Sequence, residues 1–123
     1  FSGAIYSHHN PIKFYSQPCP IAMFHGTADK IVNYKKIAIF NQCFGGANEI
    51  SKQLRKQGIA HHVYRFEGHG HEVAIYQGFC FDKEMDFLEQ DVMKGNHRSV
   101  DALIDDPEAP GAPWGGGDFK ALY

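Results

Sequence analysis

Short apolar runs alternate with helix-like segments along this chain, and this alternation constrains the fold more than any other feature. Residues 21–24 (IAMF) form an uninterrupted apolar run that leads into HGTAD, and residues 61–66 (HHVYRF) are rich in β-branched and aromatic side chains. Such runs are typical of strands in parallel sheets, which are covered on both faces. Strands that alternate with helices are joined by right-handed crossovers. The sequence therefore predicts an α/β fold.

Four further segments complete a predicted order of strand, strand, helix, helix, strand and helix. Residues 1–7 (FSGAIYS) are short and apolar, which predicts a buried strand, so the sheet is expected to have about three parallel strands with flanking helices. Residues 33–44 and 48–58 are predicted as helices, the second with Ile50 and Leu54 inward and Gly58 as its stop. Residues 72–94 are predicted as one long helix that packs an apolar stripe on the sheet. The stripe consists of Ala74, Gly78, Phe81, Met85, Leu88 and Val92.

The composition changes after Gly95, which divides the chain into two predicted regions. Residues 1–95 are expected to form the α/β domain, and residues 96–123 an irregular Pro/Gly-rich extension. One or two helical turns are expected within residues 96–106. Trp114 and Phe119 are candidate anchors of the remaining tail.

Charge, hydropathy and cysteine content exclude several classes of partner. The chain has 123 residues and a net charge of −2, so no general attraction to nucleic acid is expected. Its apolar runs are too short to span a bilayer. Cys19, Cys43 and Cys80 form no CxxC-type pair, and either three free thiols or one disulfide fits their spacing, so localisation stays open. The chain begins at Phe1 inside an apolar stretch, which suggests a fragment of something longer.

Ionisable side chains follow two of the predicted strands. Asp29 lies in the loop HGTADKIV after the second strand, and His69 and His71 lie in the loop EGHGHEVA after the third. Functional groups gather at the carboxyl ends of strands in open parallel sheets. A carboxylate beside an imidazole fixes the tautomer of the ring, so that its other nitrogen can take a proton from a nucleophile. His71 is the expected base, because it directly precedes the predicted helix, whereas His69 lies between two glycines.

The segments CPIAMFHGTADKIVNY (residues 19–34) and YRFEGHGHEVA (residues 64–74) resemble the last third of an α/β-hydrolase of the esterase/lipase-like branch. The resemblance covers roughly residues 1–94 and implies a partial α/β-hydrolase sheet. In that family HG-x-x-D-x-x-V carries the acid of a catalytic triad, and G-x-GH carries the histidine, which implies these roles for Asp29 and His71. Asn33 stands where the family commonly has proline. The resemblance implies a serine hydrolase of carboxylic esters, without a cofactor, acting on a small-molecule ester.

The nucleophile of that family is missing from the sequence. The strained G-x-S-x-G turn that exposes its serine precedes the acid and the histidine in chain order. No such turn occurs in this chain, whose five serines all lack the flanking glycines: Ser2, Ser7, Ser16, Ser51 and Ser99. The chain alone is therefore expected to be inactive, with the serine outside it. The expected partner is the missing N-terminal half of the domain, or a second chain that covers the strand edge from Phe1 to Ser7.

Two other functions remain open at this point. One is a non-catalytic hydrolase-like interaction domain. The other is a histidine-based metal-binding module, because the eight histidines include His8-His9, His61-His62 and His69-x-His71. Adjacent histidines in a strand point to opposite faces, and no HExxH spacing is present, which disfavours the metal module.

Overall fold

The computed structural model describes residues 1–105 and has a mixed α/β architecture with two three-stranded sheets. One sheet is parallel and the other antiparallel, and two α-helices accompany them. The strands are β1 (Ala4–Ser7), β2 (Ala22–Gly26), β3 (Lys36–Ile39), β4 (Gln42–Gly46), β5 (His62–Phe66) and β6 (Val100–Ile104). The helical elements are α1 (Ala47–Lys56), a 3₁₀ turn (His71–Ile75), α2 (Gln77–Phe87) and a π-helical segment (Leu88–Met93).

The parallel sheet has the strand order β2-β5-β6 and carries the main core. The register joins β2 and β5 residue for residue, from Ala22 opposite His62 to Gly26 opposite Phe66. Both strands therefore end at the same level, and the loops that follow them leave the same edge of the sheet. The apolar core here consists of Phe24, Tyr64, Phe66, Val73, Tyr76 and Cys80.

The antiparallel sheet, in the order β1-β4-β3, differs from what the sequence predicted. The helix predicted over residues 33–44 is wrong, because this stretch contains β3 and leads into β4 as a hairpin. Ile37 and Ile39 are β-branched and alternate with other residues, a pattern that suits a strand better than a helix. The buried parallel strand predicted at residues 1–7 is also wrong. Its residues Ala4–Ser7 pair antiparallel with β4 and are exposed or half-buried.

The helix α1 agrees with the prediction. Its Ile50 and Leu54 are buried, and they pack with Ile12, Cys43 and Ile59 in a second apolar cluster. Gly58 follows the helix with a φ of +69°, a left-handed conformation that glycine adopts readily and that ends helices.

The helical region after β5 is present, but it buries a different face from the predicted one. Val73, Tyr76 and Cys80 point into the core, whereas the predicted stripe is largely exposed. Both sets of residues recur at helical spacing. The buried set contains the larger side chain of Tyr76, whereas Ala74 and Gly78 of the predicted stripe have little apolar surface to bury.

Residues after Gly95 contribute to the sheet. The helical turns predicted for residues 96–106 are wrong within the described range, because residues 100–104 form β6, which pairs parallel with β5. The anchors predicted at Trp114 and Phe119 lie outside the described residues. Among residues 1–105, no helix combines the length and the apolar character that crossing a membrane requires.

Candidate active site

Two loops meet at the carboxyl edge of the parallel sheet, one after β2 and one after β5. Backbone hydrogen bonds join them: the Thr27 amide donates to the Phe66 carbonyl, and the Ala28 amide to the His69 carbonyl, both at 2.9 Å. The Gly68 amide also donates to Oγ1 of Thr27 at 2.9 Å. These bonds continue the pairing of the two strands into the loops, so Asp29 and His71 are held at one place.

Gly26 allows this close approach. A Cβ atom at this position would lie 2.2 Å from the His69 carbonyl oxygen and 2.4 Å from that of Gly70. Both are backbone atoms, so a side chain here would push the two loops apart. The glycine of the HG pair is therefore explained by packing between the loops.

The carboxylate of Asp29 is buried and held on both oxygens. Its Oδ1 accepts the amides of Ile31 at 2.9 Å and Val32 at 3.0 Å, which fixes the carboxylate against its own loop. Its side chain has no exposed surface. These two hydrogen bonds leave Oδ2 facing two nearby imidazoles, those of His71 and His25.

The predicted contact between Asp29 and His71 is present. Nδ1 of His71 lies 3.0 Å from Oδ2 of Asp29, and the imidazole is 24% exposed at the edge of the sheet. An ionised carboxylate only accepts hydrogen bonds, so the Nδ1 proton of His71 is the donor. In the neutral ring the lone pair then lies on Nε2. His71 also begins the 3₁₀ turn, which agrees with the expectation that a helical element supports it.

His25, the last residue but one of β2, is a second imidazole on the same carboxylate, and sequence reasoning missed it. Its Nδ1 accepts the Ala47 amide at 3.4 Å, so its proton is on Nε2. That Nε2 is 2.9 Å from the Val32 carbonyl and 3.2 Å from Oδ2 of Asp29. The available signal was its position at the end of an apolar run, because a polar side chain that is buried there needs hydrogen-bond partners. His25 is fully buried.

These contacts determine the charge of Asp29. Burial alone raises the pKa of a carboxyl group, but the hydrogen bonds from His25, His71 and the Val32 amide outweigh it. The pKa of Asp29 therefore lies below its usual value. Asp29 is a carboxylate at neutral pH, which is the state that can orient an imidazole and stabilise its protonated form.

His69 is held by a different partner. Its Nδ1 is 2.9 Å from the hydroxyl of Tyr76 and 3.4 Å from Oε1 of Glu72. Burial, together with the charge of Glu72, raises the pKa of Tyr76 to about 12, so the hydroxyl keeps its proton. His69 is thus fixed to the core side of the loop, although its position between two glycines suggested a flexible residue.

A serine–histidine pair lies at the opposite edge of the sheet. Oγ of Ser51 is 2.8 Å from Nε2 of His61, whose Nδ1 bonds to the Ile59 carbonyl. The serine is fully buried, and His61 precedes β5, whereas His71 follows it. Five strand residues rise by about 16 Å, so Ser51 is not placed to serve as the nucleophile of His71.

An open cavity of about 470 Å³ lies near this opposite edge and is lined by Arg55, Gly58, Ile59, Ala60, His61, Ser99, Val100 and Asp101. Neither Asp29 nor His71 belongs to its lining. Asp101, the carboxylate of that lining, is 41% exposed and paired with Arg55 and Arg65, whereas the carboxylate of Asp29 is buried.

The chain matches no family model, no curated protein and no solved structure. Within residues 1–105, no three histidine, cysteine, aspartate or glutamate side chains are arranged to hold a metal ion. The arrangement at Asp29 can orient an imidazole, stabilise its positive charge and hold it at a partly exposed edge.

Proposed function

We propose that Asp29 and His71 are the acid and the histidine of a Ser-His-Asp triad that hydrolyses carboxylic esters, with a serine from outside this chain. The observation that carries the proposal is that a buried carboxylate, held by backbone amides, contacts a partly exposed imidazole: Oδ2 of Asp29 lies 3.0 Å from Nδ1 of His71. The contact selects the tautomer in which Nε2 can accept the proton of a serine hydroxyl.

The environments of the two groups support a catalytic role. Asp29 is buried and ionised, so its charge acts on the imidazole with little screening by solvent. The His71 ring is 24% exposed, which gives a substrate access to it.

The sequence supports the choice of reaction. HGTADKIV and GHGHEVA resemble the acid and histidine loops of esterase-like α/β-hydrolases, and the parallel sheet β2-β5-β6 agrees with a part of such a fold. The substrate class is a small carboxylic ester. The alternative is a non-catalytic interaction domain that retains the same loops.

The same proposal includes a partner that supplies the serine. It is the N-terminal half of the hydrolase domain or a second chain, and it covers the edge formed by residues 1–7. In the structure β1 is an outer strand of its sheet, so one of its edges has backbone groups available for another strand.

A fluorophosphonate probe tests the proposal, because it reacts with serines that a histidine activates. The chain is expressed alone, and also joined to any sequence encoded upstream of it that contains a G-x-S-x-G turn. We expect labelling and p-nitrophenyl ester hydrolysis only in the longer form. Both are expected to be lost with His71→Ala and kept with the control Ser51→Ala.

Three results would contradict the proposal. Labelling of the chain alone would place the serine within it. A longer form that contains G-x-S-x-G but is not labelled would favour the non-catalytic interaction domain. Full labelling in the folded His71→Ala protein would exclude His71 as the base.

A further inference from the structure

The helix that follows the candidate site exposes an unusual row of apolar side chains. Phe81 is 61% exposed, Met85 47%, Leu88 44% and Val92 47%. We name these four residues the seam. Cys80 and Asp91, about a quarter turn away around the helix, are almost inaccessible and mark its buried side. The seam is apolar as well, but nothing within the described chain covers it.

The spacing of the seam specifies the kind of surface that fits it. Its residues follow one another at steps of four, three and four, an average of 3.5. This is the a/d repeat by which one helix packs against another. All four side chains remain on the solvent side through α2 and the π-helical segment. A helix with its own apolar row therefore fits better than a strand or a flat surface.

Acidic residues flank the seam. With Phe81 and Leu88 at d, Asp82 and Glu89 occupy the e positions and Glu84 a g position. The side chains of Asp82 and Glu89 are 77% and 58% exposed. Lys83 lies 3.6 Å from Asp82, and Lys94 lies 2.8 Å from Glu89. Exposed ion pairs of this kind contribute little, so a cation on a partner can replace them.

We propose that the seam binds an amphipathic helix of another protein, whose apolar row is flanked by lysine or arginine. A second copy of this chain is a poor occupant, because parallel pairing sets Glu84 against Glu89, and antiparallel pairing sets Asp82 against Glu89. Like charges at these positions oppose association. Residues 106–123 contain three acidic residues and one lysine, so their charge does not match the flanks either.

Two synthetic helical peptides of about 21 residues test the proposal. Both carry leucine at a and d, one with lysine and the other with glutamate at e and g. Binding to the chain of residues 1–123 is measured by fluorescence anisotropy at low salt. We expect the lysine peptide to bind at least about tenfold more tightly than the glutamate peptide. The double variant Asp82→Lys, Glu89→Lys is expected to reverse this preference.

Surface variants test whether the peptide binds the seam or any exposed apolar side chain. Leu88→Gln should weaken the lysine peptide at least about tenfold, whereas Phe40→Gln, at a 99% exposed site on the hairpin, should not change binding. Circular dichroism checks that each variant is folded. Equal binding of the two peptides, or binding that Leu88→Gln leaves unchanged, overturns the proposal.

Two other occupants would also be detected. A dimer in sedimentation that Met85→Glu dissociates would show that a second copy covers the seam. Deletion of residues 106–123 that strengthens peptide binding about tenfold or more would show that the tail covers it. Either result overturns the proposal of an external basic helix, and neither depends on whether the triad proposal holds.

Discussion

Among the described residues, an aspartate contacts a histidine at each edge of the parallel sheet. Asp29 and His71 meet at the carboxyl edge, after β2 and β5. His62, the first residue of β5, lies at the amino edge with its Nε2 3.1 Å from Oδ2 of Asp91. Distance alone does not distinguish these two pairs, but their surroundings do.

The pair at the amino edge, His62 and Asp91, is buried. Both its side chains are at most 3% exposed, and Arg98 holds Asp91 through two side-chain nitrogens and its backbone amide. Among the described residues, Nε2 of His62 has no aligned hydrogen-bond partner despite its distance to Asp91. Burial, opposed by the charge of Asp91, lowers the pKa of His62. This imidazole is therefore a neutral core group beside a carboxylate that is committed to an arginine.

The pair at the carboxyl edge has the opposite distribution of contacts. Backbone amides and His25 hold its carboxylate, and the carboxylate in turn aligns a histidine that is partly exposed. The comparison shows that an aspartate–histidine distance of about 3 Å is a poor sign of function. The informative features are what holds the carboxylate and whether solvent reaches the imidazole.

The largest expected effect distinguishes His71 from His69 by the loss of activity that each substitution causes. In the longer form that carries the serine, His71→Ala should lower kcat by about 10⁶-fold, because the serine then lacks its base. The midpoint of thermal unfolding should change little, since the ring is at the edge of the sheet. His69→Ala should reduce kcat far less. A larger loss in His69→Ala than in His71→Ala would transfer the role of base to His69.

A substitution in the buried pair of His62 and Asp91 should lower the stability of the protein and leave its activity unchanged. Asp91→Asn removes the charge that Arg98 binds, so we expect the free energy of unfolding in urea to fall by about 2–3 kcal/mol. The control Asp82→Asn, at a side chain that is 77% exposed, should have almost no effect. If Asp91→Asn abolished ester hydrolysis in a folded protein, the distinction between the two pairs would fail.

The third prediction concerns the contact between the two loops that holds Asp29 beside His71. Gly26→Ala places a methyl group against the backbone of His69, so the loops must separate, at a cost of about 1–3 kcal/mol in stability. Catalysis in the longer form should decrease as well, because Asp29 and His71 lie on opposite sides of that contact. Gly78→Ala, with no atom within 4 Å of the added Cβ, is the matched control. Equal stability of the two variants would contradict the packing role of Gly26.

The smallest effect is a pH dependence of stability that arises from His62. Its pKa is lowered by folding, so below pH 6.5 the unfolded chain binds a proton that the folded chain does not. Stability should therefore fall as the pH is lowered from 6.5, by at most about 1.4 kcal/mol per pH unit for this residue. His62→Gln should flatten the dependence between pH 6.5 and 5. An unchanged slope would show that folding does not lower the pKa of His62.

The sequence predicted the parts of the molecule in which pattern and position agree. Asp29 and His71 follow apolar strands, so the rule that functional groups gather at strand ends brings them together. The hairpin of β3 and β4 was missed because Ile37 and Ala38 also fit one face of a helix. His25 was missed because it occupies a strand position, and only the tertiary structure shows that its ring turns toward Asp29.

The register between β2 and β5 has a consequence for how this chain can diverge. The two strands match residue for residue, so an insertion in either would displace Asp29 from His71 by about one strand rise, 3.3 Å. The excursion between them, including the hairpin of β3 and β4, takes no part in that pairing. Natural variation in length should therefore concentrate in the hairpin, and a new loop grafted there should leave the spacing of the pair intact.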